Sequence, residues 1–462
     1  MFHQLWRLRA FLTLSIVVVV VAITGTAHGQ ITQQMLIGDA VSETGAKYAD
    51  IDKAIQFFTN RDVPNARLLL ETAKQKDPAL PPVDLTLAKL YFLSNNAAAG
   101  RAALEKTAME IPGDPEASLI LAEQATREGR FIEAESLYDK AISLIDKFSE
   151  NPKRKRNFQI ASRAGRAAVY ERRKDWTAAE SDLNELLKVD PENAGANYRL
   201  GRALFMQKKF QPGYEKFGVA QKKDKNKTLP SPDVSAALMY DQLAQTVDPK
   251  DQASMKEKAQ QFFKRATTAN KTDPATLTAY GQWLIKNGSI DEADAALAEA
   301  RKANPEVLNL LVLSGIAARM KKQLEPAEDH FMEALRISPA NTDTLNQLAL
   351  LLIDQADPTK RQRALEFAGI SSRLNNESAD AQVTLAWVLF QLTRTAEAEQ
   401  ALRNGIQLGN LSPDSRFLVA KMLADRNPAA AKQILQEALE NDSGLIFVNR
   451  LEAEALLKSM GN

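Results

Sequence analysis

The sequence predicts an all-α protein, an α-solenoid of about eleven helical hairpins ending in a capping helix, and three observations predict it. A small residue, a bulky residue, a second small residue and a proline recur at fixed offsets every 34 residues, a period that belongs to stacked helix–turn–helix units. The pattern is plainest where Ala293, Leu297, Ala300 and Pro305 are followed 34 residues on by Ala327, Phe331, Ala334 and Pro339. Apolar residues make up 45% of the 462 residues and charged ones 25%, enough to bury one face of every helix and too apolar for a disordered chain. Cysteine is absent. Packing alone must therefore hold the array, and disulfides, thiolate metal sites, iron–sulfur clusters and cysteine nucleophiles are excluded.

Each unit can be numbered so that its small residues fall at places 8 and 20 and its proline at 32. Units then begin at Lys47, Pro81, Pro115, Ile160, Ala194, Pro274, Leu308 and Thr342, with later ones near Ala379 and Pro413. Place 8 is Ala54, Ala88, Ala122, Ala167, Gly201, Gly281, Gly315, Ala349, Ala386 and Ala420. Such residues let two antiparallel helices approach, while a bulky residue at place 24, such as Tyr138, Phe217 or Phe331, fills the space between them. Turn signals such as REGR, KNGS and RRKD separate the two helices. Pro78, Pro191, Pro305 and Pro339 at place 32 stop the second helix.

The regular spacing breaks in two places, which divides the chain. A lead segment (30–46) precedes units 1–3 (47–145); a basic insertion (146–159) separates these from units 4 and 5 (160–227). An irregular unit (228–273) follows, in which QTVDPKDQASMKEK lengthens the link between helices, and units 7–11 (274–440) resume the period. The array thus reads as three blocks with two joints. FVNRLEAEALLKSM, within 441–462, fits a capping helix whose Glu452, Glu454 and Lys458 face water.

Residues 1–29 read as an export signal. Arg7 and Arg9 precede the apolar run AFLTLSIVVVVVAI, and Ala27 and Gly29 offer small residues for cleavage. The run has 14 residues, short of the roughly 20 that span a bilayer; a retained membrane anchor is the alternative. Either reading places the repeats outside the cytoplasm, periplasmic or secreted. Removal of the signal takes the net charge from +1 to −1, and residues 147–227 carry 20 Lys and Arg against 10 Asp and Glu. The run Lys153, Arg154, Lys155, Arg156 falls in the insertion and reads as a solvated loop, or as a contact for an anionic membrane or an acidic protein. Nucleic acid is not expected for an exported chain.

The pattern of Gly or Ala at 8, Tyr91 and Tyr170 at 11, Ala at 20, a bulky residue at 24 and Pro at 32 resembles the tetratricopeptide repeat over about residues 47–440. The resemblance implies a superhelix whose first helices line a concave face, at places 2, 5, 9 and 12. In unit 5 these places, with place 6, give Tyr198, Arg199, Arg202 and Phe205, an aromatic and cationic set suited to an acidic peptide. In units 8–11 they give Val312, Ile316, Leu350, Ile353, Val383, Trp387, Phe390 and Phe417, an apolar strip that is either a partner groove or covered by neighbouring helices. Unit 4 has Ala164 and Ala168 where chaperone-binding relatives carry Lys and Asn.

Little catalytic chemistry is on offer. His330 is the only imidazole beyond the signal, and no nucleophile and orienting carboxylate are spaced to converge on it. No phosphate loop, zinc-protease motif or calcium loop occurs. An all-α carbohydrate-active enzyme could work with two carboxylates alone but needs no such period. The sequence therefore predicts a non-enzymatic scaffold of the cell envelope that takes no cofactor or metal and binds a protein or peptide, with a membrane-anchored assembly factor as the alternative.

Overall fold

The computed structural model describes residues 31–440 and 445–461; the expected signal (1–29) and the start of the expected cap (441–444) lie outside the described residues. The described chain is helical, in two compact units, the first ending at Lys256 and the second starting at Glu257. In the first unit a short α1 (Gln33–Ile37) and a 3-10 turn (Ala46–Tyr48) precede five hairpins. These are α2/α3 (Ala49–Thr59, Val63–Lys76), α4/α5 (Val83–Leu93, Ala97–Glu110), α6/α7 (Glu116–Arg127, Phe131–Ile145), α8/α9 (Pro152–Arg172, Trp176–Val189) and α10/α11 (Ala194–Met206, Phe210–Lys223). Helices α12 (Pro232–Ala244) and α13 (Pro249–Ala269) follow, with the unit boundary inside α13.

The second unit holds five more hairpins: α14/α15 (Pro274–Lys286, Ile290–Ala303), α16/α17 (Leu308–Met320, Leu324–Ile337), α18/α19 (Thr342–Ile353, Pro358–Leu374), α20/α21 (Ala379–Gln391, Thr395–Leu408) and α22/α23 (Pro413–Leu423, Pro428–Glu440). Helix α24 (Arg450–Ser459) ends the described chain. It packs on α23, buries Ala453, exposes Glu452, Glu454 and Lys458, and is reached by a stretch of backbone whose Val448 and Asn449 amides donate to Asp414.

The grammar of small and bulky residues has a direct geometric cause. A Cβ added at Gly201 would lie 2.7 Å from the Phe217 ring, one at Gly281 2.6 Å from Leu297, and one at Gly315 2.5 Å from Phe331. In these three hairpins the residue at place 8 of the first helix is thus the floor on which the place-24 side chain of the second helix rests. Gly165 does the same across hairpins, where a Cβ would lie 2.3 Å from the Tyr138 ring. Each bulky partner is almost fully buried.

Turns are equally regular. Place 15 has positive φ in eight hairpins: Arg61, Asn95, Gly129, Lys174, Lys208, Gly288, Lys322 and Thr393. In the first hairpin the Arg61 amide donates to the Phe58 carbonyl and the Asp62 amide to that of Phe57, a Schellman closure that satisfies the last carbonyls of the helix. Asp62, Asn96 and Asp175 then cap the next helix by accepting from its third amide. Second helices end two residues before Pro78, Pro191, Pro305 and Pro339, and the intervening residue leaves helical geometry, with φ between −134° and −139°.

Two expected irregularities are resolved differently. The basic insertion 146–159 is not a solvated loop: Asn151 caps a helix that begins at Pro152, so α8 runs for 21 residues and Lys153–Arg156 form its first turns. The first joint is therefore absent, because α8 carries hairpin 4 directly onto hairpin 3. In the irregular unit 228–273 the link is only residues 245–248, and most of QTVDPKDQASMKEK is the extended start of α13.

Substituting Gly315→Ala forces the Phe331 ring to move and is expected to cost about 1–3 kcal/mol, read as a lowered midpoint in chemical denaturation. Gly369→Ala, where the new Cβ meets only the end of the flexible Arg373 side chain at 3.3 Å, should instead stabilise α19 by about 0.5–1 kcal/mol. Equal effects of the two would refute the floor role.

Candidate functional site

The first helices of hairpins 1–4 (α2, α4, α6 and α8) form a face on which residues 33–41 are seated. Apolar contact begins it: Leu36, Ile37, Ala40 and Val41 are buried in one cluster with Ile51, Ile55, Leu87 and Leu90. Carbonyl capture completes it. Lys89 Nζ donates to Leu36 O at 3.2 Å, Lys153 Nζ to Gly38 O at 2.7 Å and also to Val41 O, Asn151 Nδ2 to Ala40 O at 2.8 Å, and Asn157 Nδ2 to Asp39 O at 3.3 Å. At the other end Gln33 donates to Tyr48 O at 3.0 Å and to Asp52 Oδ2 at 2.6 Å.

Beneath this segment lies an ionic network of two cations and three carboxylates. Lys89 Nζ meets Glu116 Oε1 at 2.6 Å and Asp39 Oδ2 at 3.2 Å; Arg154 Nη2 lies 2.7 Å from both Asp114 Oδ2 and Glu116 Oε2. The Arg154 side chain is 0% exposed. Its guanidinium sits 5.2 and 5.0 Å from the ring centres of Phe148 and Phe158, which pack edge to face. Burial works against charge on Glu116, but Lys89 and Arg154 outweigh it and hold its pKa down at about 2. Asp39 and Asp114 are shifted the other way by burial, which their cationic neighbours only partly offset. Beside the network, burial raises the Glu123 carboxyl to about 7 against a weak pull from Arg127.

This arrangement corrects two readings of the basic run. Arg154 cannot reach a membrane or an acidic partner, because it is enclosed and paired with Asp114 and Glu116. Lys153 is committed to the carbonyls of Gly38 and Val41. Lys155 donates to Asp146 O and Arg156 meets Asp190 at 3.4 Å, both at exposed positions.

In unit 5 the predicted set splits. Arg199 is buried, its Nε 2.8 Å from Glu171 and its Nη2 donating to the Ala164 carbonyl at 3.0 Å, so it ties α10 to α8 and is not a ligand contact. Phe205 is buried too, stacked on Phe217 with Phe210 and Tyr240 at its edges. Tyr198, half-buried, leans on Phe217 at 5.3 Å, and Arg202 is half-exposed.

The apolar strip of units 8–11 is mostly interior. Ile316, Leu350, Ile353, Val383, Trp387 and Phe417 are all buried, because each first helix packs on the next one, as α18 does on α20 and α20 on α22. Val312 and Phe390 remain half-exposed. Lys421 lies 4.5 Å from the Trp387 ring centre and 5.3 Å from that of Phe417, closing the strip with a cation. Arg319, on the same face, donates to Gln347 Oε1 at 2.8 Å. His330 has Arg301 3.3 Å from its Nδ1; burial and that cation lower its pKa.

Sequence reading missed Asp39, Lys89, Asp114, Glu116, Asn151 and Asn157. One signal was available: Asn151–Pro152 is a capping residue followed by proline at the first helical position. That dipeptide marks a helix start and would have placed the basic run on α8.

Stacked hairpins with a place-8 floor, a left-handed place 15 and a terminating proline define a helical-repeat protein. Residues 163–211 and 281–342 match the tetratricopeptide repeat family. Over those two stretches the chain carries tetratricopeptide repeats. It is similar to a TPR repeat-containing protein of Pseudomonas aeruginosa, PA4667, 27% identical over 124 residues, which span 27% of this chain and only 21% of that protein. Among solved structures it is similar to yeast Tom70 (16% identity, 90% of this chain and 95% of that one, TM-score 0.39). Another is TTC0263, a thermophilic TPR protein of Thermus thermophilus (18% identity, 41% and 98%, TM-score 0.35).

Truncating Arg154→Ala strands Asp114 in the interior and leaves Glu116 with Lys89 alone, and should cost about 3–5 kcal/mol. Arg156→Ala, at an exposed position, should stay within about 0.5 kcal/mol of the parent. Urea denaturation of both variants compares them. Glu123 gives a pH test. A carboxyl whose folded pKa, about 7, lies above its ordinary 4.5 binds its proton more tightly in the folded state. Its contribution is therefore full below pH 4.5 and is lost as pH rises through 7. With 27% of the side chain still meeting solvent, the loss should be about 1–2 kcal/mol. Glu123→Gln should flatten the fall in stability between pH 5 and 8 by that amount, and an unchanged slope would refute it.

Proposed function

We propose that this chain is an exported, non-enzymatic scaffold that binds protein partners through the faces of its first helices. One observation carries the reading: two first helices, α4 and α8, hold a stretch of polypeptide by its carbonyls, with Lys89, Lys153, Asn157 and the α8 cap Asn151 as donors. A surface built in this way binds main chain, which is what a partner segment offers. Tetratricopeptide-repeat architecture supports the same class of role.

Export rests on the N-terminal sequence. Arg7, Arg9 and the 14-residue apolar run that follows suit a cleaved signal, with the mature chain beginning at Gln30. Among the described residues no helix is long and apolar enough to cross a membrane; the alternative is an anchor formed by residues 1–29. Partners are proteins of the cell envelope. The half-exposed Tyr198, Arg202, Val312 and Phe390 take over the contact role first assigned to the buried members of both sets.

N-terminal sequencing of the exported protein should return Gln30 as the first residue; a chain beginning at Met1 in the membrane fraction supports the anchored alternative. The paired substitutions Arg202→Glu and Phe390→Ser should lower crosslinked capture of envelope proteins by about ten-fold, with helicity and melting unchanged. Undiminished capture would refute these contacts.

A further inference from the structure

The polypeptide seated on hairpins 1–4 is the chain's own N-terminal segment, and it is joined to the array by a short exposed stretch, residues 42–44, ahead of Gly45, which Gln33 holds, and the turn Ala46–Tyr48. In form it is a tethered ligand. Five of its carbonyls, those of Leu36, Gly38, Asp39, Ala40 and Val41, are taken by four side chains of α4 and α8 or the cap of α8. Carbonyl capture reads the course of a backbone and accepts any sequence that can follow it.

Selectivity comes from three further features. Leu36 and Ile37 are 0% and 1% exposed, so the site takes two adjacent large apolar residues. At Gly38 an added Cβ would meet Gln34 of the segment itself, its side chain at 2.2 Å and its carbonyl oxygen at 2.5 Å, so the segment's own turn requires a small residue there for it to take the seated course. Asp39 supplies a carboxylate to Lys89. The cis occupant is also imperfect. Asp39 Oδ1 is buried with no hydrogen-bond partner, beside a narrow pocket lined by Gln34, Lys89, Glu116, Glu123 and Asn157. A competing segment need not carry that defect.

We propose that the face of α2, α4, α6 and α8 is a binding groove for a partner protein's segment, which Gln33–Val41 holds shut in cis. The segment that opens it has the same chemistry: two adjacent bulky apolar residues, a small residue, then a carboxylate. This deepens the scaffold reading by naming the groove and its ligand class. A tether of this length keeps the internal segment at an effective concentration on the order of millimolar, so only a partner that binds more tightly than the isolated segment gains entry.

The test uses the mature chain with a specific protease site inserted within residues 42–44, and as probe a labelled synthetic peptide of residues 31–41. The uncut chain should bind the peptide weakly. After cleavage and dialysis the array should keep its helical signal and bind the peptide at least about ten-fold more tightly, and Lys153→Ala in the cut chain should reverse that gain. A segment that stays through dialysis, or hairpins that unfold when it leaves, would make residues 33–41 part of the core and overturn the gate. Exchange of the segment between copies, seen as a dimer of the uncut chain, would assign the groove to a second copy and overturn the partner. Capture through Arg202 and Phe390 is measured without the cut, so a failure here is distinct from a failure of the scaffold reading.

Discussion

The contact on which the rest of this protein depends is that of a bulky side chain on one helix against a missing one on the next. Gly201 under Phe217, Gly281 under Leu297 and Gly315 under Phe331 leave less than 3 Å for any added atom. Interiors are close-packed, so this spacing sets how near the two helices of a hairpin lie. The same contact reaches across hairpins where Gly165 receives Tyr138. Left-handed turn residues and prolines only cut the chain to length; the gap and its filler hold the pieces together.

That contact also explains why the fold was legible and the site less so. Places 8, 24 and 32 lie within one unit, and their spacing is written along the sequence. Burial on the face of the first helices depends instead on how one hairpin stacks on the next. Arg199 and Phe205 have the composition of a ligand surface, yet Glu171, 28 residues before Arg199, and Phe217 enclose them. Arg154 is the sharper case. A run of four basic residues reads as solvated because free charge seeks water, and the carboxylates that reverse this, Asp114 and Glu116, lie 40 and 38 residues away. The apolar strip of units 8–11 reads truly as apolar; what the sequence could not say is that neighbouring first helices and Lys421 cover most of it.

The buried network is better understood as a specifier of arrangement than as a source of stability. Paired charges in an interior roughly balance their own desolvation. What they do is penalise any arrangement that separates them. Arg154 on α8 meets its carboxylates on α6 and just before it, and Lys89 on α4 meets Glu116 on α6 and Asp39 on the lead segment. The stacking of hairpins 2, 3 and 4 and the seat of residues 33–41 are thereby set together, and the rings of Phe148 and Phe158 exclude water from the guanidinium.

The seat of the lead segment has a consequence for the order in which the molecule is made. Residues 38–41 emerge early in synthesis, but the amide and ammonium groups of Asn151, Lys153 and Asn157 that grip their carbonyls follow 111 to 118 residues later. A contact of such long range forms only after the intervening loop has been closed. The apolar side chains of the segment can settle on hairpins 1 and 2 once these form, but the carbonyls of residues 38–41 stay ungripped until the first helix of hairpin 4 exists.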